Sequence, residues 1–456
     1  MASVGVDILG VSYDPAQVLE FIFGFALIRD FWPLWLFIVL VFIVPQFWLA
    51  YVQEYYKRSI KWVVFELRIP REVRKTPKAM EQVFMALHAV KNSYSDVQEK
   101  WWDGEVTMWF SCEAVSFGGE VHFYMRVPEV RRNHVEAALY SQYSEIEVKE
   151  VDDYMARYPS NWDGWQKKGY SIFGNELILA KPRVYPIVTY VDFEAVAEEK
   201  ELDPVAALLE TLSRIKPTEH IWVQILVRPL YDQHHPTLTE FVEEGEKAVE
   251  ELKEKTGKRR MFSPQFGEFI MMDRSPGELE HMKAIERKIT KPAFSVIIRY
   301  MYMSPAETFV SSFGRRSILM VMNQYASEWT NKFRHNVHAW TMSKVWYFPY
   351  IFPKLRGYWR KVRMYNNYRE RRMYQESFAM TLLQAKLFNW GLRPRRFSNM
   401  VLNVEELATI FHPPTYIVLT GPLIKREESK KMGPPAGLPI YGEAGEEDLP
   451  GINDWK

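Results

Sequence analysis

The amino-acid sequence predicts an α+β protein with an N-terminal transmembrane helix, two ferredoxin-like α/β sandwich modules and a helical C-terminal part. Three observations support this prediction. Residues 31–53 carry no charge. Residues 62–151 show strand and helix patterns in the order βαββαβ, which is typical of ferredoxin-like domains. Residues 176–325 then show a second alternation of strand and helix patterns, which indicates another α+β module.

The uncharged run at 31–53 reads FWPLWLFIVLVFIVPQFWLAYVQ. At about 1.5 Å per residue, a helix of this length crosses the roughly 30 Å hydrocarbon core with some tilt. A cleaved signal peptide is the alternative, but acidic residues precede the run and only Arg29 is basic there. The aromatic residues predicted to anchor the helix at the two interfaces are Trp32, Trp35, Trp48, Tyr51, Tyr55 and Tyr56.

Basic residues closely follow the uncharged run, and such residues stay on the cytoplasmic side. We therefore expect a single-pass protein of the bacterial inner (cytoplasmic) membrane, with the N-terminus outside and the C-terminal bulk in the cytoplasm. The apolar stretch at 18–28 is too short to span, and it is predicted to lie as a helix against the bilayer.

The sequence patterns of the first soluble module predict the order of its strands and helices. A β-rich strand pattern at 62–69 is followed by a helical pattern that begins after Thr76-Pro77. Two β-rich runs then flank Phe117-Gly118-Gly119, which predicts a hairpin. A helix at 131–143 and a strand at 146–151 complete the βαββαβ order.

The second module is predicted from strands at 176–179, 187–193 and 221–227, a helix at 203–215 and a charged helix at 238–255. It could be a divergent copy of the first, although no residue-level repeat is visible. The predicted division of the chain is an extracytoplasmic or interfacial segment 1–30, a transmembrane helix 31–53, a ferredoxin-like domain 60–155, a second α+β domain 175–330, a basic aromatic helical segment 331–400, a linker-motif segment 401–432 and a flexible acidic tail 433–456.

The charge balance gives no global preference for nucleic acid or lipid, because the formal net charge is +1 at pH 7. Any such partner must therefore be recognised by a local patch. The single cysteine, Cys112, cannot form an internal disulfide, which is consistent with a reducing compartment. It lies in an alternating strand pattern, so we expect a buried thiol rather than a nucleophile.

Residues 344–372 form a tract in which aromatic residues are interleaved with basic ones and only Glu370 is acidic. Three interpretations stay open: a membrane-surface segment, a nucleic-acid backbone site with aromatics stacking on bases, and a basic face packed on another subunit. The residues predicted to contact membrane or nucleic acid are Lys354, Arg356, Trp359, Arg360, Lys361, Arg363, Arg369, Arg371 and Arg372.

The sequence contains no motif that specifies catalysis. A P-loop needs a glycine-rich turn ending in Gly-Lys-Ser/Thr, and residues 257–259 lack the hydroxyl residue. Several side chains of metal-binding type lack the spacing of a complete ligand set, namely Asp232, His234, His235, His335 and His338. We therefore predict no metal, no cofactor and no enzymatic activity, although one sequence does not show spatial neighbours.

Five stretches carry a family resemblance. They are DGWQKKGYSIFGNELILAK at 163–181, YPIVTYVDFE at 185–194, LDPVAALLETLSRIKPTEHIWVQILVRP at 202–229, VLNVEELATIFHPPT at 401–415 and KKMGPPAGLPIYG at 430–442. They resemble a bacterial family of membrane-anchored proteins similar to the coupling and conjugation ATPases of type IV secretion systems, both TraG-like and HerA-like. In those relatives a P-loop ATPase follows the resembling region, whereas this sequence stops at that point, so the resemblance implies no ATPase activity here.

The resemblance implies that the 401–415 stretch is a structural junction rather than an active site, through Glu405, Glu406, Phe411, His412 and Pro414. We therefore predict a non-enzymatic, membrane-anchored scaffold or accessory component of a type IV secretion-like or DNA-transfer-like apparatus. It would contact the lipid bilayer, form a homo-oligomer and recruit a separate P-loop ATPase through residues 401–442 and the acidic tail. The alternative is a membrane-tethered protein that binds nucleic acid through residues 344–372.

Overall fold

The protein, described here from a computed structural model, is built on one large antiparallel β-sheet. Helices pack on both faces of this sheet. The residues that the structure describes are 6–8, 11–13, 32–70, 73, 75–89, 96–196, 203–231, 238–255, 258–263, 267–272, 276–344, 352–373 and 400–415.

The strands are β1 (Val6–Ile8), β2 (Val11–Tyr13), β3 (Trp62–Arg68), β4 (Phe110–Phe117), β5 (Glu120–Pro128), β6 (Glu147–Val151), β7 (Tyr170–Leu179), β8 (His220–Pro229), β9 (Lys258–Ser263), β10 (Gly267–Met272), β11 (Ala293–Pro305), β12 (Phe333–His335) and β13 (Met400–Asn403). The α-helices are α1 (Trp32–Ser59), α2 (Pro77–Ala89), α3 (Arg132–Gln142), α4 (Trp162–Lys167), α5 (Tyr190–Val196), α6 (Ala206–Ser213), α7 (Leu238–Lys255), α8 (Pro276–Thr290), α9 (Ser311–Met322), α10 (Pro353–Arg369) and α11 (Val404–Ile410). A short π-helix at Glu99–Asp103 and 3-10 turns at Glu129–Arg131, Tyr154–Arg157 and Asn323–Tyr325 complete the secondary structure of the described residues.

The large sheet consists of two halves with the same strand order. Its strands run β12-β7-β11-β8-β4-β5-β3-β6, and β13 also pairs with β11. In the first half the four strands lie side by side in the order β6, β3, β5, β4. Numbered along the chain, this is the 4-1-3-2 order of ferredoxin-like domains. In the second half β7, β8, β11 and β12 repeat that order. The halves join where β4 pairs with β8, and Glu113 lies opposite Gln224 near the middle of that ladder.

The hairpin between β4 and β5 lies where the sequence predicted it. Phe117 pairs with Glu120, so the turn residues are Gly118 and Gly119. Both have positive φ, at 62° and 98°, a backbone region that side chains with a Cβ rarely adopt. A Cβ on Gly118 would also lie 2.5 Å from the carbonyl oxygen of Pro217. The two glycines therefore fix both the turn and its contact with the second half.

Each face of the sheet is covered by different elements. On the first face, α2, α3, α6, α9 and α11 enclose the largest apolar core, which runs under both halves without interruption. On the second face, α4 and α10 cover the aromatic side chains of Tyr124 and Trp222. Because β8 is covered on both faces, its sequence is a nearly continuous apolar run rather than an alternating one.

The α+β class was predicted correctly, but the expectation of two separate sandwich modules was wrong. The ladder between β4 and β8 makes one sheet of the two halves. The second half also contains an insertion between β8 and β11, which consists of α7, the β9–β10 hairpin and α8. Residues 187–193 are not a strand, since α5 begins at Tyr190 after the Thr189 amide donates to the carboxylate of Asp192.

The transmembrane helix predicted at 31–53 is also wrong, because no helix among the described residues is long and apolar enough to cross a membrane. The C-terminal turns of α1 are packed on the domain, where Leu49, Ala50, Val52 and Gln53 are buried. The remaining residues, 32–47, rise about 24 Å as a helix, which is less than the roughly 30 Å of a hydrocarbon core.

Some predictions concern residues outside the described ranges. They are the interfacial helix at 18–28, the candidate ligands Asp232, His234 and His235, and the acidic tail at 433–456. Only residues 401–415 of the predicted linker-motif segment are described.

Candidate functional site

Residues 401–415, the described part of the predicted linker-motif segment, are buried in the domain. Every residue from Met400 to Thr415 is buried. Strand β13 pairs antiparallel with the beginning of β11, with Met400 opposite Val296 and Asn403 opposite Ala293. The stretch is therefore docked along its whole length.

Helix α11 begins at a capping box. The Asn403 side chain accepts a hydrogen bond from the Glu406 amide, and the Glu406 carboxylate accepts one from the Asn403 amide, both at 2.9 Å. Each bond satisfies a backbone N–H that the first turn of a helix leaves unpaired. This local signal in the sequence, Asn-Val-Glu-Glu, explains why the helix starts directly after the strand.

Glu406 forms a fully buried ion pair with Lys288 of α8. The Lys288 Nζ lies 3.2 Å from the carboxylate, and both side chains are fully buried. The Ile187 amide donates a further hydrogen bond at 2.9 Å. Burial raises the pKa of Glu406 and lowers the pKa of Lys288, while each charge opposes the shift of its partner. Removing either charge would leave the other buried and uncompensated.

Glu405 connects the docked stretch to both halves of the sheet. Its carboxylate accepts from Thr189 Oγ1 at 2.5 Å and pairs with Lys291 Nζ at 2.7 Å. The same Lys291 Nζ lies 2.6 Å from the carboxylate of Glu81 on α2, which belongs to the first half. Arg287 of α8 adds a contact of 2.9 Å from its Nε. One carboxylate thus joins α2, α8 and the loop before α5.

His412 and Thr415 fix the end of the docked stretch to Asp203. His412 Nε2 lies 2.9 Å from one Asp203 oxygen, and the Thr415 amide and hydroxyl donate to the other at 2.8 and 2.9 Å. His412 Nδ1 lies 2.7 Å from the Ala408 carbonyl oxygen, so both ring nitrogens must carry protons for both bonds to form. Burial alone would raise the pKa of Asp203, but His412 and these donors hold it at about 2.

A second buried charge network lies on the opposite face, at the joint between β4 and β8. The Arg371 guanidinium binds Glu113 at 3.0 and 3.2 Å and Asp153 at 2.5 and 2.9 Å. Tyr154 donates to Glu113 at 2.6 Å, and Gln224 donates to it at 3.0 Å. Burial opposes the charge of Glu113, yet Arg371 holds its pKa below the ordinary value. Arg371 itself has a φ of 47°, in the left-handed region.

The end of α10 is held by a second buried arginine. Arg299 of β11 pairs with Glu176 of β7 at 2.6 Å. It also donates to the carbonyl oxygens of Asn367 and Arg372, at 3.2 and 2.6 Å. These bonds attach the last turn of α10 to the centre of the sheet.

The residues predicted to contact membrane or nucleic acid lie on and after α10. Three arginines donate to backbone carbonyls of residues 338–344 at 2.7–3.0 Å, namely Arg356, Arg360 and Arg363. Arg369 donates to carbonyl oxygens of residues 155–159. Arg356 and Arg371 are buried. Most of the positive charge in this tract is therefore bound within the chain.

The remaining members of this predicted set differ in exposure. Lys361 Nζ lies 5.6 Å from the centre of the Trp162 ring. Arg372 pairs with Glu54 of α1 at 3.4 Å. Lys354 and Trp359 are exposed on the first turns of α10. The prediction that this tract contacts membrane or nucleic acid stays a prediction, and these last two residues are its accessible members.

The predicted aromatic anchors lie on α1, although the side chains of Trp32 and Trp35 are outside the description. Trp48 Nε1 donates to the Trp101 carbonyl oxygen at 2.7 Å. Tyr51 and Tyr55 are exposed. Tyr56 packs against the small core around Trp109, so it contacts protein.

No group of three or more metal-binding side chains is placed to hold an ion among the described residues. His335 binds the Asn175 amide at 2.6 Å. Cys112 is fully buried in β4, and burial raises the pKa of its thiol. Among the described residues, buried charged side chains form ion pairs that bind segments of the chain to one another.

The key buried polar and charged residues were not identified from the sequence. Glu113, Gln224 and Arg299 each interrupt an apolar strand, and such a residue needs a buried partner. That interruption was the available signal. It does not identify the partner, since Arg371 follows Glu113 by 258 positions.

A sequence model described as a domain of unknown function, DUF8128, matches residues 53–346 of this chain. No curated protein matches the chain. The matched region contains the groups that receive the docked stretch, among them Glu81, Asp203 and Lys288. The docked stretch itself and α10 lie outside the match.

Proposed function

Because the chain belongs to the DUF8128 family, whose description states no activity, we propose a function from its geometry. We infer that it is a non-enzymatic scaffold of a type IV secretion-like or DNA-transfer-like apparatus. The scaffold is oligomeric, and it recruits a separate P-loop ATPase through the chain that follows Thr415.

The observation that carries this proposal is the docking of residues 400–415. This stretch resembles the segment that precedes the ATPase in TraG-like and HerA-like proteins, and here it is bound through Glu405, Glu406 and His412. A buried and ion-paired junction holds the following residues at a defined place on the domain. A scaffold that positions a partner needs such a fixed point.

The two charge networks support the same function. They bind α10 and the docked stretch to opposite faces of one sheet. Their carboxylates form ion pairs with side chains of other segments of the chain. The alternative, nucleic-acid binding through α10, has less support because most of its arginines already bind carbonyls or carboxylates.

The test is a binding titration of the full-length chain with a purified TraG-like or HerA-like P-loop ATPase from the same organism. We expect a saturable complex with the unaltered chain. Glu405→Gln should weaken it by about tenfold or more, because the junction loses its ion pairs with Lys291 and Arg287. Glu243→Gln, which replaces an exposed carboxylate of α7, is the matched control and should leave the affinity unchanged.

Thermal unfolding of each variant separates a lost junction from a lost fold. A chain that lacks residues 416–456 provides a second variant, and it should fail to bind while unfolding normally. The proposal is overturned if the unaltered chain forms no complex with the ATPase. It is also overturned if the chain alone hydrolyses ATP.

A further inference from the structure

Helix α1 exposes apolar side chains on several sides of its first turns, and seven exposed residues between 34 and 55 lie along one continuous stripe. The stripe residues follow one another at alternating steps of three and four, and they are Leu34, Phe37, Val41, Val44, Trp48, Tyr51 and Tyr55. Each is between 45% and 71% exposed. Alternation of three and four over three heptads is the spacing of a coiled-coil seam.

The other side of α1 is bound to the domain, so the direction of the stripe is fixed. Val52 and Gln53 are buried. A Cβ on Gly104 would lie 2.4 Å from the Val52 carbonyl oxygen, which shows how closely the two backbones approach. Glu54 pairs with Arg372 beyond the end of α10. Every copy of the chain therefore holds its stripe at the same angle to its sheet.

The area of the stripe is sufficient for a stable interface. Its seven side chains leave on the order of 900 Å² exposed, more than the roughly 300–600 Å² of the largest apolar patch on a typical monomer. A standard protein interface buries about 800 Å² on each partner. The formal net charge of +1 adds little repulsion between copies.

We propose that α1 pairs in parallel with α1 of a second copy of this chain, and that the stripe is the seam between them. A parallel pair places each stripe residue opposite its own counterpart, so one sequence supplies both sides of the interface. This inference rests on the proposed function, because it names the interface that makes the scaffold oligomeric.

Cysteine cross-linking tests the seam directly. The only native cysteine, Cys112, is fully buried, so an introduced thiol on α1 reports without background. The full-length chain carrying Val44→Cys, in a mild non-ionic detergent under oxidation, should form a disulfide-linked dimer in high yield. Phe42→Cys is the matched control, because Phe42 is more exposed than Val44, at 71% against 52%, but lies off the stripe. It should yield at least about tenfold less dimer.

Paired substitutions with light-scattering mass measurement give a second readout. Phe37→Gln with Val44→Gln should convert the oligomer to a monomer. Leu36→Gln with Phe42→Gln removes as many exposed apolar residues from outside the stripe and should leave the oligomer intact. Both pairs alter exposed positions, so each variant should still unfold in a cooperative transition, and only the stripe pair should lose the stabilisation that self-association provides.

Three outcomes overturn the inference. One is an oligomer that survives the stripe substitutions, and another is equal cross-linking at positions 42 and 44. The third is an unaltered chain that is monomeric. If that monomer also floats with phosphatidylcholine vesicles, lipid rather than a second copy occupies the stripe. Binding of the ATPase is measured in a separate titration. A failed seam can therefore be distinguished from a failure of the proposed scaffold function.

Discussion

Helices α1 and α11 reverse the usual relation between polarity and burial. Residues 34–48 of α1 are almost wholly apolar, yet most of the side chains described there are exposed. Helix α11 carries two adjacent glutamates, yet every one of its residues is buried. The difference lies in what the rest of the chain supplies. Lys288 and Lys291 reach α11 from the insertion, whereas the described residues provide no comparable cover for the first turns of α1.

The largest expected effect comes from breaking the pair at the centre of α11. Glu406→Ala should lower the free energy of unfolding by about 3–5 kcal/mol, because it leaves the Lys288 charge buried and uncompensated. Urea denaturation followed by circular dichroism measures this. The double variant Lys288→Met with Glu406→Leu should lose less than Glu406→Ala alone. A single-variant loss below ~1 kcal/mol would show that α11 is buried by packing and not held by charge.

The second face allows the same comparison within two consecutive residues. Arg371→Gln should cost about 3 kcal/mol, since Glu113 would lose its guanidinium partner in a fully buried site. Arg372→Gln is the control, because Arg372 is partly exposed and its ion pair with Glu54 is long at 3.4 Å. It should cost less than ~1 kcal/mol. Equal losses for the two variants would contradict the importance assigned to burial.

The anchor of the docked stretch predicts a dependence on pH. The folded-state pKa of Asp203 is depressed to about 2, against an unfolded value near ~3.9. A depressed carboxylate stabilises the fold above the unfolded pKa, and this contribution of about 2–3 kcal/mol is lost as the pH falls from roughly 4 towards 2. Denaturation at each pH measures it. Asp203→Asn should flatten that part of the profile, and an unchanged slope would contradict the pairing with His412.

The smallest effect is expected from an ion pair of good geometry at the surface. Arg183 binds Glu244 through two bonds of 2.7 and 2.8 Å, but the carboxylate is about half exposed. Glu244→Gln should change the free energy of unfolding by no more than ~0.5 kcal/mol, because water screens the pair. The same denaturation assay could instead show a loss of unfolding free energy above ~1.5 kcal/mol. Burial would then not explain why the pair of Glu406 with Lys288 stabilises the fold more than this surface pair does.

Local patterns in the sequence predicted local structure well. The order of elements from β3 to β6 follows from alternation, helical spacing and the glycine pair at 118–119. The stretch at 187–193 was misread because its β-rich composition competes with a side-chain signal. Its Ile187 amide binds Glu406, and the Thr189 amide binds Asp192, so neither is available to a strand ladder.

Pairings between distant parts of the chain could not be predicted. Nothing in the periodicity of β4 and β8 indicates that they are neighbours. The docking of β13 on β11 joins residues more than a hundred positions apart. The basic tract was expected at a surface on its charge and its interleaved aromatic residues, but the acidic partners of Arg371, Glu113 and Asp153, come from the first half of the domain. The net charge of a local stretch of sequence does not show which distant residues will pair with it.

The continuous ladder across β4 and β8 determines how this protein would respond to mechanical tension. Helix α1 leads directly into β3, while the docked stretch is hydrogen-bonded to β11. A pull between these two attachment points crosses the ladders of β5, β4 and β8 in series. Because ladders in series carry the same load, extension would begin at whichever of them ruptures first. Until that rupture, the continuous sheet would transmit tension from α1 to the docked stretch as a single stiff body.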